Sequence, residues 1–411
     1  MCHVLLINSD KPEPIRFLKE YKQKYNIYLS VLTRNRYTSI YNNFADEVYS
    51  VDDITDLSVS QLLVIDILEN KKIDYIVTPT EKSVLTGGFL RSYYAINGPK
   101  FETTLCMTNK LAMKTKLQQV GIPVTDFKRL DKIGDLSEIG EELGWPLVLK
   151  PAMGTGTLNT FIVKSLKDSK NQVHIDKLDS LKKDKIPFLA EKYVEMEEYH
   201  CDALYNKGKL SFVSISKYFS PPLKVKHKLL GSYIIDQKNP IYKEILKIQE
   251  SVINTFGVLD GPTHMEIYHT PSGELLVGEI ALRVGGGGIS DTIFKKYNVS
   301  MWDASLLIAI NQDPQLKPKS SEGVFGWCGL PCQNGIIKDF TPLEELLKIP
   351  YVIDVQLHYE LGENVHEKEM STFHFGKIYF RLDNENQIEK FLNTVQEKFY
   401  LHTEKLSMSN L

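Results

Sequence analysis

One stretch constrains this chain more than any other. It runs His264-Met265-Glu266-Ile267-Tyr268, a turn at Thr270-Pro271-Ser272-Gly273, Leu275-Leu276-Val277-Gly278-Glu279-Ile280, then Arg283 and four consecutive glycines, Gly285 to Gly288. Two apolar, β-prone runs around a Pro-Ser-Gly turn predict a β-hairpin. Pairing Thr270 with Gly273 sets Glu266 opposite Val277, with Glu279 two residues further along the same face. Opposite and diagonal neighbours on one face lie within about 5 to 8 Å, so both carboxylates can share one or two divalent cations. A slip of one residue would put them on opposite faces. Past the strand end, Arg283 offers a guanidinium, and the glycine run lets backbone N–H groups close on an anion. Ser290 and Asp291 are placed to cap a following helix, whose N-terminus favours negative charge. A solvated hairpin face and a flexible glycine loop are the bland alternatives, and residues elsewhere must decide between them.

At 411 residues there is length for two or three domains. The formal charge of -3 argues against a nucleic-acid binder, which would show a basic excess. The apolar run Val4 to Ile7 is too short for a signal peptide, and no segment approaches a membrane span, so the expected location is the cytoplasm. Five cysteines scattered from Cys2 to Cys332 fit a reducing compartment, with Cys328 and Cys332 read as buried thiols.

Residues 1 to about 100 alternate β and α: strands at Val4 to Ile7, Ile27 to Leu32 and Ile73 to Val77, helices around Ile15 to Tyr25 and Gln61 to Glu69. This is a small doubly wound domain. Asn8-Ser9-Asp10-Lys11-Pro12 after the first strand carries no dinucleotide glycine fingerprint, and Gly87-Gly88 reads as a helix-breaking turn. From Thr108 an amphipathic helix places Met113, Leu117 and Val120 at helical spacing and ends at Gly121. Lys110 in its first turn opposes the helix dipole, which an anion nearby would relieve.

The strand Trp145 to Pro151 ends in Lys150 and leads into Met153-Gly154-Thr155-Gly156-Thr157, a loop with phosphate-cradle chemistry but no Walker ending. A hairpin with a polar tip is its bland reading. Then come Glu191-Lys192-Tyr193-Val194, Glu198 to Asp202, a strand from Leu210 to Ile215 reaching Lys217-Tyr218, and a basic loop from Pro221 to Lys228. Residues 312–411 hold strands at Val352 to Tyr359 and Lys377 to Leu382 and a helix Gln387 to Phe399.

In this order of parts the chain resembles the ATP-grasp superfamily, in particular D-alanine:D-alanine ligase and the L-amino-acid ligases, over roughly residues 1 to 310. The resemblance implies an ATP-grasp fold of α/β and α+β parts. A doubly wound pre-ATP-grasp domain would span 1–105, a small lobe with the phosphate loop 106–190, a large lobe with the metal site 191–311, and a small C-terminal α+β extension 312–411. It implies that Lys110, Lys150 and Lys217 contact the nucleotide phosphates under a lid of Gly154, Thr155, Gly156 and Thr157. Glu191, Lys192, Tyr193 and Val194 would hold the adenine, and Glu198 the ribose. Glu266 and Glu279 match the ligands of Mg²⁺ (or Mn²⁺), while Arg283, Gly286 and Gly287 match the part that holds the acyl phosphate and substrate carboxylate. Ala281 departs from the asparagine found there in many members, which bears on a second metal ion.

The implied function is an ATP-dependent ligase that activates a carboxylate, that of an amino acid, as an acyl phosphate and transfers it to an amine. Loading an amino acid onto the thiol of an acyl carrier protein is an alternative, hinted at by the basic run Lys224 to Lys228. A non-catalytic ATP-binding module is another. A small-molecule amino acid substrate is the expected partner, with an acyl carrier protein and a second copy of the chain as further candidates, and neither nucleic acid nor membrane.

Overall fold

Parallel pairing of four short apolar strands builds the N-terminal part of the computed structural model, which describes residues 1–8, 16–171, 175–176, 186–224, 229–366 and 373–405. The strands lie in the order Glu47–Val51, Ile27–Arg34, Cys2–Ile7, Tyr75–Val77. The two central strands, Cys2–Ile7 and Ile27–Arg34, are buried on both faces and read as near-continuous hydrophobic runs, as helix-covered parallel sheets do. Val4 and Leu6 pack with Leu29 and Val31 on one face, while Leu5 and Ile7 pack with Leu32 and Val64 on the other. The first face also receives Leu306 and Leu307 from the distant helix Met301–Ala309, which ties this sheet to the rest of the molecule.

Gly87 and Gly88 do not break a helix. Both lie inside the helix Glu81–Tyr93. A Cβ would come within 2.2 Å of Thr78 at Gly87 and 1.9 Å of Thr104 at Gly88, so the glycines permit close packing there.

Four antiparallel strands, Phe127–Leu130, Phe188–Lys192, Leu147–Pro151 and Phe161–Val163 in spatial order, form a small sheet over a core that includes Leu147, Leu149 and Ala190. An eight-stranded sheet forms the other half of the molecule, with the hairpin Gly261–His269 and Leu275–Ala281 at one edge. The C-terminal part has the expected α+β character, but its strands Val324–Leu330, Gly376–Leu382 and Val352–Leu357 continue this large sheet. Val277 donates its N–H to the Pro123 carbonyl at 2.9 Å, which fixes the helix Lys110–Gln119 against the hairpin. No helix among the described residues is long and apolar enough to cross a membrane.

Candidate active site

A cavity of about 390 Å³ opens between the two antiparallel sheets and is closed at one end by the start of the helix Glu81–Tyr93. Strand alternation decides which side chains reach it. Along Glu197–Asn206 the residues Glu198, His200 and Asp202 share a face, and across the ladder they meet Tyr268, Glu266 and His264.

The hairpin register differs from the sequence expectation. Its strands pair Glu266 directly with Glu279 and Ile267 with Val277, so Gly278 is an extra residue in a bulge. A Cβ at Gly278 would stand 2.4 Å from the Tyr268 ring, which is why the bulge forms at a glycine. The closing loop is also one residue longer, with Thr270 N–H donating to the Glu274 carbonyl at 2.9 Å. The two carboxylates therefore share a face, as expected, but lie opposite each other instead of diagonally. Each is about a quarter exposed, at 24% and 23%.

Around them the charges interlock. Lys110 meets Glu279 at 3.0 Å and donates to the Gly154 carbonyl at 3.1 Å, so the anion that relieves its place at the helix start is the hairpin carboxylate. Lys150 pairs with Glu191 at 2.9 Å, and Lys114, one turn after Lys110, reaches the same oxygen at 3.2 Å. Burial pushes the Lys150 pKa down, but Glu191, aided by Glu279 and Glu266, carries it above its ordinary value. Burial raises Glu191, yet the two lysines hold it below the usual carboxylate range. Glu198, buried and next to the Glu266 charge, has its pKa raised well above normal.

Arg283 is held by Glu81 at 2.6 Å and donates to Thr155 Oγ1 at 3.4 Å, so one guanidinium links the N-terminal domain, the Gly154 to Thr157 loop and the hairpin. Behind Glu266 a buried relay runs His264 Nδ1 to Asp202 at 2.8 Å, Asp202 to His200 Nδ1 at 2.5 Å, and His200 Nε2 to Ser232 at 2.9 Å. Burial opposes a charge on His264, but Asp202 overrides it and lifts the pKa to about 9. His264 Nε2 faces Glu266 at 3.7 Å, so an imidazolium there helps to balance the acidic face.

Most of the residues named from sequence meet in this cavity: Lys110, Lys150, Gly154 to Thr157, Glu191 to Val194, Glu198, Glu266, Glu279, Arg283, Gly286 and Gly287 all line it. Lys217 does not. It lies in the strand Lys209–Tyr218, where alternation sends Tyr218 into the cavity and Lys217 to the opposite face, ion-paired with Glu197 at 2.6 Å. Ser290 and Asp291 are not caps either. The helix Ile289–Tyr297 begins behind Gly288, and Asp291 in its first turn accepts from Tyr379 at 2.7 Å. Of the basic run, Val225 to Lys228 fall outside the described residues, and Lys224 is paired with Glu195 at 2.6 Å.

Sequence reading missed Glu81 and Trp327, which line the cavity, as well as Lys114 and the His264–Asp202–His200 relay. Glu81 had a signal, since it follows the parallel strand Tyr75–Val77, and such sheets place ligands at the carboxyl ends of their strands. Lys114 had one too, four residues from Lys110 on the same helix face.

Comparison with known proteins settles the family. An ATP-grasp domain is recognised over residues 143–291. Over 412 aligned residues, covering 100% of both chains, the sequence is 51% identical to an L-arginine-specific L-amino acid ligase of Bacillus subtilis. This chain belongs to the L-amino acid ligases of the ATP-grasp superfamily. The ligase is also 29% identical to a D-alanine–D-alanine ligase of Clostridium beijerinckii over 161 residues, 38% of this chain and 50% of that one. Its fold matches the crystal structure of an L-amino acid ligase from Bacillus licheniformis with a TM-score of 0.80, at 18% identity over 98% of this chain and 99% of the other. It is thus an enzyme that uses ATP to activate a carboxylate and transfer it to an amine, and the reading as a non-catalytic module falls. The thiol-acceptor alternative gains no support from these relatives.

Proposed function

We propose that this ligase phosphorylates the carboxylate of an L-amino acid at the Glu266 and Glu279 hairpin, assisted by Mg²⁺ or Mn²⁺, and that L-arginine is one of its substrates. The observation that carries the reading is the convergence of two directly opposed carboxylates with Lys110, Lys150 and Arg283 in one cavity. The identity of 51% over the full length to an L-arginine-specific ligase supports arginine.

The donor set fits a hard divalent cation. Glu266 and Glu279 offer oxygen ligands on one face, the kind Mg²⁺ and Mn²⁺ take, and the buried Ala281 offers none. Such an ion, when bound, would neutralise charge that develops on the phosphoryl oxygens.

The protein's own groups do the rest. Lys110 and Lys150 receive the phosphates, and Arg283 grips the transferring phosphoryl in its planar fork. Glu191 to Val194 border the adenine and Glu198 the ribose. The substrate carboxylate oxygen attacks the γ-phosphorus, ADP leaves, and the amine then displaces phosphate from the acyl carbon with loss of a proton. Water would hydrolyse the acyl phosphate, so the Gly154 to Thr157 loop, tied to Lys110 and Arg283, serves as the lid. A cytoplasmic setting belongs to the proposal, and the five free cysteines accord with it. Every residue invoked comes from one chain, so this reading requires no second copy.

Incubation with ATP, Mg²⁺ and each of the twenty L-amino acids, singly and in pairs, tests the reading through ADP release. The expected result is ADP formation that depends on arginine and yields a dipeptide. ADP release indifferent to arginine but strong with other amino acids would remove the substrate assignment.

A further inference from the structure

Lys114 is the most buried cation of the site and the one that no step above uses. Its side chain has no exposure, it donates to Thr125 Oγ1 at 2.7 Å, and it meets the Glu191 carboxylate at 3.2 Å, while Thr125, Glu191 and Lys150 line the cavity and Lys114 itself does not. Glu191 is therefore shared by two lysines, Lys114 outside the cavity lining and Lys150 within it, both on the same carboxylate oxygen, and it is itself only 3% exposed.

This arrangement has a consequence for nucleotide binding. For Lys150 to meet a phosphate, its ammonium must turn from Glu191, and a buried carboxylate left without a cation is strongly unfavourable. Lys110 has no such difficulty, because Glu279 is the more exposed partner and is one of the carboxylates assigned to the metal ion. We propose that Lys114 is a positioning residue for ATP binding: it keeps Glu191 neutralised while Lys150 transfers to the nucleotide phosphates. Lys114 lies outside the cavity lining and makes no contact with the nucleotide in this scheme; it acts through Glu191. The inference rests on the assignment of Lys150 to the phosphates.

Without Lys114, Lys150 is the sole counter-ion of Glu191 among the described residues, and ATP must compete for it. Lys114→Met should weaken ATP binding by about 10- to 100-fold, seen as a raised KM for ATP, with the KM for the amino acid unchanged. Lys114→Arg keeps the charge and should retain most of the affinity. The decisive variant is Lys114→Met/Glu191→Gln. With Glu191 neutral, no counter-ion is needed, and the double variant should bind ATP more tightly than Lys114→Met alone.

Titration of each variant with a non-hydrolysable ATP analogue and Mg²⁺, after circular dichroism has established its fold, gives the readout. Rescue in the double variant supports the inference. Affinity unchanged in Lys114→Met, or a double variant no better than the single, overturns it. Should Lys114→Met fail to fold, the double variant still decides when compared with Glu191→Gln alone, which allows for the place of Glu191 beside the adenine: equal affinity supports the inference, and weaker binding in the double variant overturns it. Lys150→Met separates the two layers. If it leaves affinity unchanged, the phosphate assignment itself fails; if it weakens binding while Lys114→Met does not, only the role of Lys114 fails.

Discussion

At the scale of single residues, Lys150 and Lys217 show how period-two geometry sorts candidates of equal chemical merit. Both are strand lysines near an aromatic or glycine-rich segment. Lys150 is buried on the cavity wall beside Glu191, whereas Lys217 lies across the sheet against Glu197. A charge-assisted contact to phosphate contributes about 1.5 to 3 kcal/mol, or roughly 10- to 100-fold in affinity. Lys150→Ala should weaken ATP binding by that much, while Lys217→Ala should change it less than about twofold, as an exposed ion pair contributes little. Isothermal titration of the two variants checks the contrast, and equal losses would return Lys217 to the site. Residue type and spacing drew attention to Lys110, Lys150 and Arg283, while the roles of the two lysines and of Glu198 came from the family resemblance. The facing of Lys217 was not legible, because the strand continues to Tyr218 past the run Leu210 to Ile215 that the alternation marked.

At the scale of elements, the hairpin was legible as a hairpin but not in its register. Turn chemistry predicted the loop, while the bulge depends on how the Tyr268 ring lies over residue 278, a tertiary contact that sequence pattern does not encode. The same limit hid Glu81, whose role follows from the helix Glu81–Tyr93 pointing at a hairpin about two hundred residues away. The bulge gives a sharp expectation. Gly278→Ala sets a methyl against the Tyr268 ring, an overpacking that costs about 1 to 3 kcal/mol, and pushes Glu279 out of line with Glu266. ADP formation should fall at least about tenfold at temperatures where the variant remains fully folded. Thermal unfolding alongside steady-state ADP release separates the two effects, and a variant with lowered Tm but full activity would show that carboxylate alignment does not matter.

Across the whole molecule, the alternation of β and α in the first hundred residues was readable from hydrophobic periodicity and turn residues, while the two antiparallel sheets and their order were expected only from the family resemblance. The continuation of the large sheet into the C-terminal part was not, because strand order depends on contacts distant in sequence. That C-terminal part carries a pH signature of its own. His374 is buried against Trp327, and burial, with the Lys377 and His358 charges adding, holds its pKa down to about 4. An unfolded histidine titrates near about 6.5, so between these values the unfolded chain binds a proton that the folded one refuses. Stability should therefore rise with pH from about 4 to 6.5 and flatten above, a term of at most about 3 kcal/mol. Chemical denaturation of wild type and His374→Leu across this window isolates the term; identical slopes would assign the dependence to other groups.

The proposed reaction turns on phosphorylation of the substrate carboxylate. Its most direct test is the fate of oxygen in L-arginine labelled with ¹⁸O in the carboxylate. If the carboxylate attacks the γ-phosphorus and the amine later displaces phosphate, one labelled oxygen passes into each inorganic phosphate released with ADP, which mass spectrometry detects. Unlabelled phosphate formed together with dipeptide would contradict the acyl-phosphate route and the assignment of the Glu266 and Glu279 face to it.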